Sequence, residues 1–299
     1  MAKRLSKATN NKVDDVFKLP TQKTIPSADF TRVSVTMYGP PKIGKSMFWS
    51  KAKNALFLTT EPAHKHLSIL NQPIEKWLDF KRAVAELHSG GYKNYSTVVI
   101  DTIDILYTMC LKYVCAKRGI DHPADQAYGK GWKALREEFE EQLCKLTRLP
   151  GIGVAFISHS VEREIEGREE KYVKTQSTMT EHCRGVINPL SDIIVYCGFA
   201  EDGKTRIAIM RPSHDLEAGS RYLEASEFYS AMPAITPFSY EVFIDTFQRC
   251  MKGETVEYPG IEKGDCKKRV TQPTINRDVQ KLTTTSKVPL KKKAPKRRS

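Results

Sequence analysis

Apolar and polar positions follow two different periods along the chain, and the switches between them outline the fold. Short runs rich in β-branched and aromatic residues occur at VSVTMY (33–38), ALFLTT (55–60), STVVID (96–101) and IGVAFIS (152–158). Each has strand length and is bounded by turn residues, so each is predicted to be a buried strand. Between them the spacing becomes helical: a helix through Trp49, a helical region over 74–88 and a helix over about 102–117. Another amphipathic helix runs to Arg148, with Trp132, Leu135, Phe139, Leu143 and Leu146 recurring three and four apart. This alternation predicts an α/β domain with a mainly parallel sheet.

Beyond residue 158 the pattern changes. VEREIEGREEKYVKT (161–175) alternates around Gly167 and reads as a charged hairpin. DIIVYCGF and KTRIAIM flank Glu201-Asp202-Gly203, and Asp-Gly is a strong hairpin signal. These segments are expected to extend the sheet with antiparallel strands. A last helix over about 240–252 carries Val242, Phe243, Phe247 and Met251 on one side. Residues 1–30 lack apolar periodicity and are expected to be a flexible lead-in. Residues 31–253 are the expected core, and 254–299 a disordered basic tail.

Charge sharpens this division. The net charge of +13 is concentrated at the ends. Residues 263–299 hold 13 Lys/Arg against two acids, and residues 1–30 hold six against three, leaving the centre close to neutral. Such a tail is drawn to polyanions by counterion release. No run approaches the roughly 20 apolar residues of a membrane span, and MAKRLSKATNNKVDD lacks the apolar stretch of a secretory signal. Seven scattered cysteines without a C-x-x-C pair read as reduced thiols of an intracellular protein, and exclude a disulfide framework or cysteine-bound zinc.

The chemistry centres on Gly39, Pro40, Pro41, Lys42, Ile43, Gly44, Lys45 and Ser46, which satisfy G-x-x-x-x-G-K-[ST] after a strand and before a helix. Glycines let such a loop curl round a β-phosphate with its N–H groups inward, and the helix start adds partial positive charge. Lys45 is expected to reach the β- and γ-phosphates and Ser46 to ligate Mg²⁺, with Met47 completing the nucleotide-binding set. Val98-Val99-Ile100-Asp101 is a rigid β-rod ending in a carboxylate, which suits Asp101 to hold Mg²⁺ through water. Asp104, one helical turn on, is the alternative. Glu61, ending ALFLTT, is placed to orient the attacking water. Ser158-His159 ends the next strand, where His159 can sense the γ-phosphate. Asn11-Lys12-Val13-Asp14 matches N-K-x-D, but no buried strand precedes it and Asp101-Thr102-Ile103-Asp104 lacks the glycine of D-x-x-G. ATP is therefore favoured over GTP.

A glutamate after the second strand, an aspartate on the next and a polar sensor after a fourth form the layout of the RecA-type core. At finer grain the chain resembles the phage nucleotide-binding, single-strand-annealing ATPases (the Sak group, with a RecA-like core). The resemblance is carried by MYGPPKIGKS (37–46), TVVIDTIDILY (97–107), AYGKGWKALREEF (127–139), FISHS (156–160) and RPSHDLEAGSR (211–221). It departs at Lys42, where Gly is commoner, and at Thr59-Thr60-Glu61-Pro62, where Asp-Thr-Glu-Gly is usual. The resemblance implies a RecA-like P-loop NTPase core, its mainly parallel sheet extended by antiparallel strands, with flexible basic termini. It also implies ATP and Mg²⁺ as cofactors, a single-stranded-DNA-dependent ATPase promoting annealing or strand exchange in phage recombination or replication, and a homo-oligomeric ring or filament. The setting would be the bacterial host cytoplasm, with a single-strand-binding protein as a further partner.

RecA-type proteins meet DNA through loops after the Walker B helix and the sensor strand. The first matching stretch holds Lys117, Arg118, Tyr128, Lys130 and Lys133; the second holds Arg163, Arg168, Lys171 and Lys174 among many acids, a composition that also fits a solvated hairpin. Lys291, Lys292 and Lys293 represent the tail. Arg211, then Arg221 and Arg206, are candidates for an arginine finger reaching a neighbour's nucleotide. Two other readings stay open on the same core: a replicative helicase-type motor, and a nucleotide-gated DNA-binding or loader protein with negligible hydrolysis.

Overall fold

The computed structural model describes residues 19–62, 64–166 and 171–259. The Asn11–Asp14 match, Arg168 and the tail lysines Lys291, Lys292 and Lys293 lie outside the described residues.

Ten strands make the sheet: β1 (Val35–Gly39), β2 (Ala55–Thr59), β3 (Leu70–Pro73), β4 (Thr97–Asp101), β5 (Gly153–Glu166), β6 (Lys171–Ser177), β7 (Ile193–Phe199), β8 (Arg206–Ile209), β9 (Gly219–Ser220) and β10 (Ile235–Pro237). The order is β10-β8-β7-β1-β5-β4-β2-β3, with β6 on β5 and β9 on β7. From β3 to β7 every neighbouring pair on this path is parallel, while β6, β8, β9 and β10 pair antiparallel. Among the described residues six α-helices accompany it: α1 (Lys45–Trp49), α2 (Trp77–His88), α3 (Ile103–Arg118), α4 (Lys130–Thr147), α5 (Glu181–Leu190) and α6 (Tyr240–Met251).

The central strands are apolar without interruption because both sheet faces are covered. Alternate side chains still divide between faces. Val98, Ile100, Val154 and Phe156 pack with α2, α3, α4 and α5, whereas Val99, Ala155 and Ile157 pack with α1, α6 and Phe30. Phe30 sits in a short 3₁₀ turn capped by Asp29 and is 2% exposed, so the packed body begins within the expected lead-in. At the other end Val256 is buried and Tyr258 packs on the core, past the expected boundary at 253.

Three expectations need correction. The strand of DIIVYCGF, β7, forms the expected antiparallel hairpin with β8 but lies parallel to β1, because α5 carries the chain back across the sheet before β7 begins. The fourth strand continues far past residue 158, with β5 running on as one arm of the charged hairpin. Edge strand β3 was not foreseen: all four residues are exposed, so no apolar alternation marks it, and Pro73 is tolerated at an edge.

The strand ends that matter share one rim. Register sets Gly39 beside His159 and Thr59 beside Asp101. Ligands of open parallel sheets bind outside the carboxyl ends of the strands. With β5 inserted between the loop-bearing β1 and the carboxylate-bearing β4, this is a RecA-like P-loop NTPase core.

Candidate nucleotide site and nucleic-acid face

The loop after β1 is tightly determined. A Cβ on Gly39 would lie 2.2 Å from the Cys197 carbonyl oxygen of β7, so only glycine lets the two strands close. Gly44 takes φ +110°, open to glycine alone at little cost. Lys42 adopts φ +64° as a non-glycine, a conformation costing about 1 kcal/mol or more. The Lys45 side chain turns back into the loop, donating to Gly39 O at 2.8 Å and Pro40 O at 2.9 Å. It is 5% exposed, and burial lowers its pKa against the opposing pull of Cys197, Asp101, Asp104 and Glu61. Among the described residues the backbone N–H groups of Gly44, Lys45, Ser46 and Met47 find no protein acceptor. A ring of free donors around a buried ammonium suits a polyphosphate. Helix α1 has only five residues, so the macrodipole expected from the sequence contributes little, and the positive field of the loop comes from the N–H groups and Lys45.

Opposite the loop stands Asp101. Ser46 Oγ donates to Asp101 Oδ2 at 2.5 Å. The same oxygen meets His64 Nε2 at 2.8 Å, with the His64 side chain only 6% exposed. The hydrogen bond to Asp101 raises the His64 pKa, against the effect of burial. A hydroxyl and a carboxylate oxygen in contact are the hard donors Mg²⁺ selects, so the residues fit that ion. Sequence reasoning missed His64; it lies in an aperiodic loop, and its only signal was its closeness to Glu61. Glu61 is half-buried at the same rim, its Oε1 3.4 Å from Thr102 Oγ1. Thr60 fixes that corner, donating its N–H to Asp101 O at 2.9 Å and accepting from Thr102 N at 2.9 Å.

Asp104 stands apart from the metal-type pair. Its Oδ1 accepts from Thr178 Oγ1 at 2.8 Å and Ser158 Oγ at 3.1 Å, joining α3 to β5 and the segment after β6. Its Oδ2 is buried without a partner among the described residues, and of the two carboxylates it is Asp101 that contacts Ser46. His159 adjoins Gly39 in register, and its buried Nδ1 has no partner among the described residues. Glu61, Asp101, His159 and Lys45 thus share one rim.

The arginines separate. Arg206 turns inward, donating to Ile43 O at 3.1 Å with its guanidinium 5.8 Å from the Phe238 ring centroid. Arg221 is bound to Asp192 Oδ1 at 2.7 Å and Pro189 O at 3.1 Å. Both are exposed and make these contacts within their own chain. Arg211 is exposed and makes no hydrogen bond or ion pair among the described residues; it does not join the rim cluster.

The two expected DNA segments approach each other through Trp132 at the start of α4, stacked on His182 of α5 at 4.2 Å. Tyr128 is 96% exposed at φ +59°, just before Lys130. Lys117 lies over the Tyr113 ring, Arg118 donates to Gln126 and Lys133 pairs with Glu137 at 3.7 Å. The hairpin is more informative, because its register sorts a mixed sequence into two faces. Glu162, Glu164 and Glu166 share one face with Lys171, which pairs with Glu164 and Glu166 at 3.2 and 3.4 Å. Lys171 thus sits among acids in exposed ion pairs. The other face holds Arg163 opposite Lys174 and Ile165 opposite Tyr172, with His214 against the Tyr172 ring at 3.7 Å. Like charges directly across a sheet repel, and an anion between them relieves the repulsion. Tyr172 and His214 were missed because only the register reveals their neighbours.

This geometry can be set beside known proteins. A family model described as an AAA domain matches residues 31–222. No curated protein matches the chain. Among solved structures the chain is similar to one titled the crystal structure of the RadB recombinase, at 15% identity and a TM-score of 0.38, covering 63% of this chain and 84% of that one. Among the described residues no helix is long and apolar enough to cross a membrane. The family model spans well over half the sequence, and the chain belongs to the AAA domain family.

Proposed function

We propose that this protein is a Mg²⁺-dependent ATPase whose turnover answers to single-stranded DNA, acting in strand annealing or exchange as the phage single-strand-annealing group does. The observation that carries the reading is the convergence of a buried Lys45, a Ser46–Asp101 contact and Glu61 on one rim, beside the strand that runs on into a hairpin one face of which sets Arg163 opposite Lys174. In this reading Gly39, Pro40, Pro41, Lys42, Ile43, Gly44 and Met47 line the phosphate path, and Lys45 neutralises charge on the β- and γ-phosphates. Ser46 and Asp101 would hold Mg²⁺, which when bound neutralises phosphate charge. Glu61 accepts a proton from the attacking water and orients it, while His159 contacts the γ-phosphate through its unpartnered nitrogen. His64 keeps Asp101 oriented. Arg211 completes a neighbouring subunit's site in an oligomer.

The hairpin's cationic face takes the phosphates of the strand, and Tyr172 and Tyr128 offer rings for base stacking. Lys130 and Lys117 extend the path. A loader with negligible hydrolysis shares this surface, as does a helicase-type motor. Phosphate release by the full chain, measured with and without a single-stranded oligonucleotide, separates them. Stimulation in the wild type and loss of turnover with retained nucleotide binding in Glu61→Gln are the expected results. Nucleotide binding without stimulated release would support the loader, and directional unwinding of a forked duplex the motor.

A further inference from the structure

The rim residues define one end of the proposed nucleotide, and the sheet order then fixes where its other end must go. Asp101 and Glu61 lie on the β5–β4–β2 side of the loop, whereas β7, β8 and β10 lie on the opposite side. A nucleotide with its γ-phosphate towards Asp101 and Glu61 must leave the cradle towards β8. At that exit a stack rises from the core. Phe48 of α1 lies 5.2 Å from Phe238 with the rings 9° from parallel, and the Arg206 guanidinium sits over the Phe238 ring, 5.8 Å from its centroid. Arg206 is an exposed residue, and its Nη1 would be 2.8 Å from a Cβ on Gly44, so the guanidinium borders the loop itself. Its one bond to the loop, at Ile43 O, uses a single donor of five.

We infer that Arg206, supported by Phe238, forms a stacking platform for the purine base of the bound nucleotide. The inference rests on the P-loop reading above and adds to it the subsite for the nucleoside end. A planar cation stacks on an aromatic heterocycle where an ammonium cannot, so Arg and Lys are not equivalent here. The Ile43 bond steadies the platform and couples base recognition to the loop holding the phosphates.

The test uses the full chain with Mg²⁺, comparing ATP with inorganic tripolyphosphate, which has no base. Arg206→Lys keeps the charge and a donor for Ile43 O but removes the plane. The expected result is an ATP affinity about fivefold weaker, with tripolyphosphate affinity unchanged within twofold. Equal losses for both ligands would make Arg206 a loop clamp and overturn the inference, as would an unchanged ATP affinity. A wild type that binds tripolyphosphate as tightly as ATP would remove the nucleoside subsite while leaving the cradle intact. A wild type that binds neither would instead overturn the P-loop reading, and this inference with it.

Discussion

Lys45 and Arg163 are both cations, and their surroundings could hardly differ more. Lys45 is buried in its own loop, its charge opposed by desolvation and sustained by nearby carboxylates and loop carbonyls. Arg163 stands exposed on a hairpin across from Lys174. In the first setting an incoming phosphate displaces little solvent and meets a strong local field. In the second, each contact is weak, screened and multiplied along a polymer. On the proposed function, the cradle suits one tightly defined ligand and the hairpin face many loosely placed ones.

The largest effect that sharpens this contrast is Lys45→Ala. Turnover is expected to fall by about 100-fold or more, the scale of losing a preorganised charge contact, while oligonucleotide binding by anisotropy stays near wild type. Equal losses in both assays would erase the distinction between the regions. Next comes Arg163→Glu with Lys174→Glu, which should weaken oligonucleotide binding by about tenfold and flatten the log–log salt slope by about one unit. An unaltered slope would remove the hairpin from the interface. Nucleotide affinity in the wild type should depend far less on salt than oligonucleotide affinity does.

His64 is expected to match the hairpin pair in magnitude. His64→Ala should raise the Mg²⁺ concentration for half-maximal turnover by about tenfold, as loss of a group orienting a metal-holding carboxylate does elsewhere, and His64→Asn should recover part of it by restoring a donor. A Mg²⁺ dependence unchanged in both variants would leave His64 a packing residue. The smallest expected effect tests the connection between regions. The Tyr38 hydroxyl donates to Glu217 O and to Thr175 O of β6, linking the strand before the loop to the hairpin's base. Tyr38→Phe should lower stimulation of turnover by oligonucleotide about two- to threefold with little change in melting temperature. Full stimulation in this variant would place the connection elsewhere.

The same contrast explains what could be read from the chain alone. The cradle is local: eight consecutive residues, with glycines dictated by a clash at Gly39 and a positive φ at Gly44, carry it whole. Asp101 was legible because a fully buried strand ends on it. The hairpin's sorting of charge was not, since adjacent acids and bases separate only once Arg163 is registered against Lys174. His64, and the contact of Arg206 with the loop, escaped for a related reason. Their partners, Asp101 and Ile43, are 37 and 163 residues away, and no periodicity encodes a contact of that range. Helix α5, with Gly185 and Pro189 inside it, was likewise hidden by its composition; Thr180 accepting from Cys183 N starts it.

The most direct measurement is the ratio of phosphate release with and without a single-stranded oligonucleotide, taken on the full chain in the wild type and in the Arg163→Glu, Lys174→Glu double variant. A ratio well above one in the wild type that drops towards one in the variant is the result expected of a cradle answering to the hairpin. A wild-type ratio of one, or the same elevated ratio in both proteins, would contradict it.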